Sequence, residues 1–136
     1  MKIGICQINP TVGAINKNKQ LILDYYDKSI AQGAELVVFP ELAVTGYPPQ
    51  DLLLRDHFLT STAAALDEIA SHTSTPMILG STLVENNNLF NCSFICENRK
   101  ILGHYKKILL PTYDVFDEDR YFKSGNKTST FELKIS

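Results

Sequence analysis

The apolar positions change their spacing several times along the chain, and each change predicts an element. Ile3, Ile5, Cys6 and Ile8 form a short apolar run closed by Asn9-Pro10, which predicts a strand and a turn. Leu21, Ile22, Tyr25, Tyr26 and Ile30 then recur at helical spacing, with Asn16 as the expected N-cap and Gly33 just past the end. Leu36 to Phe39 is wholly apolar and stops at Pro40, the pattern of a strand covered on both faces. Strand, helix and buried strand make a βαβ-type opening, so the fold class is α/β.

After a loop at Thr45-Gly46-Tyr47-Pro48-Pro49, a second helical region is expected from about Asp51 to His72. Its inner stripe is Leu59, Ala63, Leu66, Ile69 and Ala70, with Thr60 or Ser61 capping its second part. Met77–Gly80 predicts a short buried strand. Asn86-Asn87-Asn88 predicts a turn between strands over Ser81–Val84 and Leu89–Ile95. Arg99–Tyr105 predicts another strand, Thr112–Gly125 a long ordered loop, and Thr128–Ile135 a last strand.

Composition narrows the class. The chain has 136 residues, 44% hydrophobic and 21% charged, with a formal charge of -2, a balance typical of one globular domain. No basic surplus marks a nucleic-acid footprint, and no apolar run reaches the roughly 20 residues of a membrane span. Cys6, Cys92 and Cys96 are an odd number without a secretory leader, which points to a reducing cytoplasm rather than a disulfide framework. The cysteines and the isolated His57, His72 and His104 do not form a zinc-ligand pattern.

Chemistry could gather at four places. Glu41 follows a buried strand and Pro40, at the strand end where open α/β sheets bind ligands; it is either a desolvated general base or a solvated loop acid. Alternation sends Lys106 and Lys107 to opposite faces, so one of them could meet Glu41, or both could guard a strand edge. The 112–125 loop carries Tyr113, Phe116, Tyr121 and Phe122 among acids, too many aromatics for a purely solvated loop. Cys96 with His104 could be read as a nucleophile and base, but its apolar strand favours an inert buried thiol.

Longer motifs carry a resemblance. Phe39-Pro40-Glu41-Leu42 with Thr45-Gly46-Tyr47-Pro48-Pro49 resembles the glutamate motif of the nitrilase superfamily, the carbon–nitrogen hydrolases. Tyr105-Lys106-Lys107-Ile108-Leu109-Leu110-Pro111 resembles its lysine motif, and alignment on Leu110-Pro111 selects Lys107. Tyr47–Arg55 and Tyr113–Phe122 narrow the likeness to the glutaminase domains of glutamine-dependent NAD synthetases. The resemblance implies an α-β-β-α sandwich and a Glu-Lys-Cys triad acting on glutamine. Glu41 would be the general base, Lys107 the oxyanion stabiliser, Glu118 a supporting glutamate and Tyr113 a substrate contact.

It also implies a longer protein, homo-oligomeric when complete, whose own synthetase domain uses ATP and Mg²⁺ to amidate deamido-NAD. In this family the nucleophilic cysteine follows the lysine motif, and no cysteine follows Lys107 here. The expectation is therefore that residues 1–136 are the N-terminal portion of the glutaminase domain, an incomplete sandwich that is inactive alone. No metal or cofactor is expected within it. A free-standing amidase or carbamoylase, and a non-catalytic interaction fragment, are the alternatives.

Overall fold

The computed structural model describes residues 1–135. One mixed sheet runs in the order β1-β2-β3-β4-β5. Its strands are β1 (Ile3–Ile5), β2 (Leu36–Val38), β3 (Met77–Glu85), β4 (Asn88–Glu97) and β5 (Lys100–Lys106). β1, β2 and β3 are parallel, while β4 and β5 return antiparallel. Helices α1 (Ile15–Ala31) and α2 (Asp56–His72) cover one face. The parallel half needs helical crossovers and the antiparallel half only tight turns, so the α/β opening hands over to two hairpins.

Both hairpin turns hold two residues in the left-handed region. Asn86 and Asn87 have φ of 51° and 62°, and Asn98 and Arg99 have φ of 51° and 64°. This twist suits a two-residue hairpin and favours asparagine or glycine. The core behind the sheet joins Val37, Met77, Leu79, Phe94 and Cys96 to Ile22 and Tyr26 of α1 and to Leu66 and Ile69 of α2. The buried Tyr26 hydroxyl donates to Thr75 O and accepts from the Ser74 and Thr75 amides, tying α1 to the turn before β3.

Among the described residues no helix covers the opposite face. Register places Ile5, Val38, Ile78, Ile95 and Gly103 in one row across all five strands. Strand alternation turns this row away from Val37, Met77 and Phe94. Ile5 at the edge is 80% exposed. At the other end a phenyl ring, Phe131, lies against Gly103, where a Cβ would come within 2.5 Å of it.

Several sequence expectations are corrected. α1 is preceded by Ala14 rather than capped by Asn16; the preceding turn is held from within the helix by buried Asn18, whose amide bonds both Thr11 main-chain groups and Val44 O. β1 stops at Ile5, with one further bond from Cys6 N to Val38 O. The region from Asp51 divides into a 3-10 turn (Gln50–Leu54) and α2, separated by extended Arg55. Thr60 donates to Asp56 O inside α2 and is not a cap; Ala63 faces solvent, and Thr62 and Ala65 take the inner positions. Met77–Gly80 and Ser81–Val84 are one strand, β3. Thr128–Ile135 pairs with no strand among the described residues: it packs through Phe131, and Lys134 N donates to Glu97 Oε1.

Candidate active site

Glu41 stands where β2 ends, in a tight turn running to Thr45. Leu42 takes a φ of 47° and is fully buried, and Gly46 N returns to Leu42 O. This turn presses onto β3 at Gly80, where a Cβ would fall 2.4 Å from Leu42 N and 2.5 Å from Pro40 O. Only glycine permits that approach, so Gly80 sets the height of Glu41 above the sheet.

Lys107 follows β5 directly. Its amide donates to Asn91 O and its carbonyl accepts from Gly125 N, so the backbone is held on both sides. The side chain reaches Glu41 Oε1 at 2.6 Å and Glu118 Oε1 and Oε2 at 3.2 and 3.0 Å. Lys106 turns the other way, pairing with Glu85 and lying over the Phe90 ring. The alternation expected for this pair is borne out, with Lys107 as the member that meets Glu41.

Glu118 opens a 3-10 turn (Glu118–Arg120) in the 112–125 loop, anchored by its amide on Pro111 O. It is almost fully buried and accepts from the Tyr47 hydroxyl at 3.0 Å. Burial, with the hydrogen bond to Glu118, pushes the Tyr47 phenol up to about 12, so it remains a donor. Burial pulls the Lys107 ammonium down, but the hydrogen bonds and charges of Glu41 and Glu118 outweigh it and leave its pKa raised. One cation is thus held protonated between two carboxylates, an arrangement suited to stabilising a developing negative charge.

Sequence reading placed Glu41, Lys107 and Glu118 together, and the fold brings them into direct contact. Tyr113 stays outside: it is two-thirds exposed, packs edge-to-face on Phe116, and reaches the cluster only through the Phe116–Tyr47 contact. Two participants had no assigned role, Tyr47 and Asn91. Asn91 donates to Glu41 Oε1 at 2.7 Å from β4; its one available signal was an asparagine amid the apolar strand Leu89–Ile95.

The cysteines lie elsewhere. Cys92 and Cys96 project to the helical face, opposite Asn91, and burial pushes both thiols up to about 12. Cys6 contacts Ser29 beside α1. A cleft of about 240 Å³ adjoins the cluster, with Tyr47, Asp51, Phe116 and Glu118 in its walls. Among the described residues no three metal-ligating side chains converge.

The Carbon-nitrogen hydrolase family profile matches residues 2–136. The chain is 38% identical over 136 residues to the glutamine-dependent NAD(+) synthetase of Aquifex aeolicus, covering 98% of this chain and 24% of that protein. It is 38% identical over 141 residues to the Synechocystis enzyme of the same name, covering 97% and 25%. The solved structure of glutamine-dependent NAD+ synthetase from Acinetobacter baumannii superposes with a TM-score of 0.92 at 32% identity, covering 97% of this chain and 25% of that one. An amidase from Nesterenkonia sp. superposes at 0.80 with 21% identity, covering 93% and 49%, a likeness of fold. The chain therefore spans about a quarter of the length of the NAD synthetases it matches. A single profile running across nearly every residue, on a sheet whose parallel strand end carries Glu41 within reach of Lys107, makes this chain a member of the carbon–nitrogen hydrolase family.

Proposed function

We propose that residues 1–136 form the N-terminal portion of the glutaminase domain of a glutamine-dependent NAD synthetase, and supply its base and its oxyanion-stabilising cation. The observation that carries this reading is the contact of Lys107 with both Glu41 and Glu118. The nucleophile is a cysteine thiol contributed by chain outside these residues. Glu41 takes the thiol proton, and the thiolate attacks the side-chain amide carbon of glutamine. Lys107 then stabilises the oxyanion of the tetrahedral intermediate. Glu41 returns the proton to the leaving nitrogen as ammonia departs, and water cleaves the thioester to glutamate.

Glu118, kept in place by Tyr47, holds Lys107 charged and aimed. Tyr113 is a substrate contact that would have to close onto the site through Phe116. In the same proposal the ATP and Mg²⁺ of the amidation step belong with the synthetase portion of the longer protein. Deamido-NAD as acceptor, assembly as a homo-oligomer and a cytoplasmic setting are parts of the same proposal.

The test reads the gene past Ser136 and assays its complete product. Glutamate release from glutamine is expected, coupled to NAD formation from deamido-NAD and ATP. It should fall about 10³-fold in Glu41→Gln and in Lys107→Met, the range of removing a general base or an oxyanion donor. The 136-residue chain alone should release none. Glutamate release by that chain, abolished by Cys96→Ser, would overturn the reading. Release from simple amides with no NAD formation would favour a free-standing amidase, the class of the Nesterenkonia neighbour.

A further inference from the structure

We infer that Asn91 is a positioning residue that decides which oxygen of Glu41 acts as the base. The inference rests on the reading of Glu41 as a general base given above. Glu41 Oε1 receives two hydrogen bonds, from Lys107 Nζ at 2.6 Å and from Asn91 Nδ2 at 2.7 Å. Among the described residues Oε2 receives none. Two donors on one carboxylate oxygen draw electron density to it and fix the plane of the group, leaving Oε2 as the free lone-pair site for an incoming proton.

Asn91 is well placed for this task. It is 3% exposed, so its side chain has little room to choose another rotamer. It lies on β4, opposite Thr82 of β3, on the sheet face away from the helices. Its own carbonyl accepts the Lys107 amide at 2.8 Å. One residue therefore fixes the base through its side chain and the cation through its backbone. Glu41 comes from a turn after β2 and Lys107 from the end of β5, so a side-chain change at Asn91 would remove one of the two donors on Glu41 Oε1 while leaving the lysine's backbone bond intact.

The test has two arms. In the first, the side-chain amide resonances of Asn91 in the 136-residue chain, identified by their loss in Asn91→Leu, are compared between the parent chain and Glu41→Gln. They should shift in Glu41→Gln, because that variant changes the acceptor to which the Asn91 amide donates. An amide pair indifferent to Glu41→Gln overturns the inference.

In the second arm, glutamine hydrolysis by the complete gene product is compared between Asn and Leu at position 91. Asn91→Leu should lower kcat about 100-fold, the cost of misplacing a reacting group by about an ångström. KM should stay within about twofold, because the substrate's own contacts are untouched. Asn91→His, which keeps a ring N–H donor, should recover about tenfold over Leu. Unchanged kcat in Asn91→Leu overturns the inference, and if that variant fails to fold the resonance arm decides. No glutamate release from the wild-type product overturns the functional reading and the base role together, whereas Asn91 amide resonances that depend on Glu41 would still uphold the hold on Oε1.

Discussion

Removing the Lys107 ammonium leaves Glu118 as a buried carboxylate whose one remaining hydrogen bond comes from Tyr47. Breaking a buried pair from one side is costly, and because Lys107 keeps some solvent contact the expected loss for Lys107→Met is about 2 kcal/mol in urea unfolding. Adding Glu118→Gln should return at least half of it, since the neutral amide no longer needs a cation. Strictly additive losses in that double-mutant cycle would contradict direct coupling. Glu41, Lys107 and Glu118 themselves were legible as motif letters. Their supports were not: Asn91 and Asn18 act across 50 and 26 positions, on Glu41 and on Val44 O, and no local pattern encodes such a partner.

The two hairpins differ in how well their sequences suit their turns. Asn86-Asn87 places asparagine at both left-handed positions, but Asn98-Arg99 places an exposed arginine at φ 64°. Arg99→Gly should therefore stabilise the chain by about 1 kcal/mol, read as a shift in urea midpoint with an unchanged slope. Gly80→Ala should act in the opposite direction. Its Cβ cannot coexist with Leu42 N, so the Glu41 turn must rise off β3 at a cost of about 2 kcal/mol or more. Loss of the Asn91–Glu41 contact should accompany it, and the Asn91 side-chain resonance would report this. Gly80 also explains a misread element. From sequence it looked like the end of a short strand, whereas β3 continues through it and the glycine serves a neighbour's close approach. The alternation of Thr128–Ile135 is real, but it reports a segment with an apolar side rather than a paired strand, because a ladder needs an adjacent edge at the right height.

For the molecule as a whole, alkaline pH is the weak flank. Tyr47, Cys92 and Cys96 hold their protons up to about 12 in the folded state, well above the ordinary phenol and thiol ranges, and Lys107 is raised as well. The unfolded chain releases those protons earlier, so stability is full below about pH 8.5 and falls as pH rises toward 12. Urea midpoints at about pH 8 and pH 10.5 should show the decline, and Cys92→Ala with Cys96→Ala should make it shallower; a flat profile in the parent chain would contradict this burial. The helix-free face sets a second whole-molecule property. The row from Ile5 through Val38 and Ile78 is apolar and ends at an open edge strand. The isolated chain should self-associate through it in a concentration-dependent way, measurable by sedimentation velocity. Ile5→Lys should weaken that association without lowering the unfolding midpoint by more than about 0.5 kcal/mol, because the site is already exposed.

Local sequence determined the sheet's parallel opening, both covering helices in outline, the Asn86-Asn87 hairpin turn and the identities of Glu41, Lys107 and Glu118. These follow from periodicity, turn chemistry and short motifs, all of which act over a few residues. Tertiary structure alone decided that Tyr47 and Asn91 hold the two carboxylates that meet Lys107, and that Cys92 and Cys96 project to the opposite, helical face of the sheet. Each of these depends on strand register and on a glycine's missing side chain between segments distant in the chain, and such distances are set by packing rather than by any neighbouring residue.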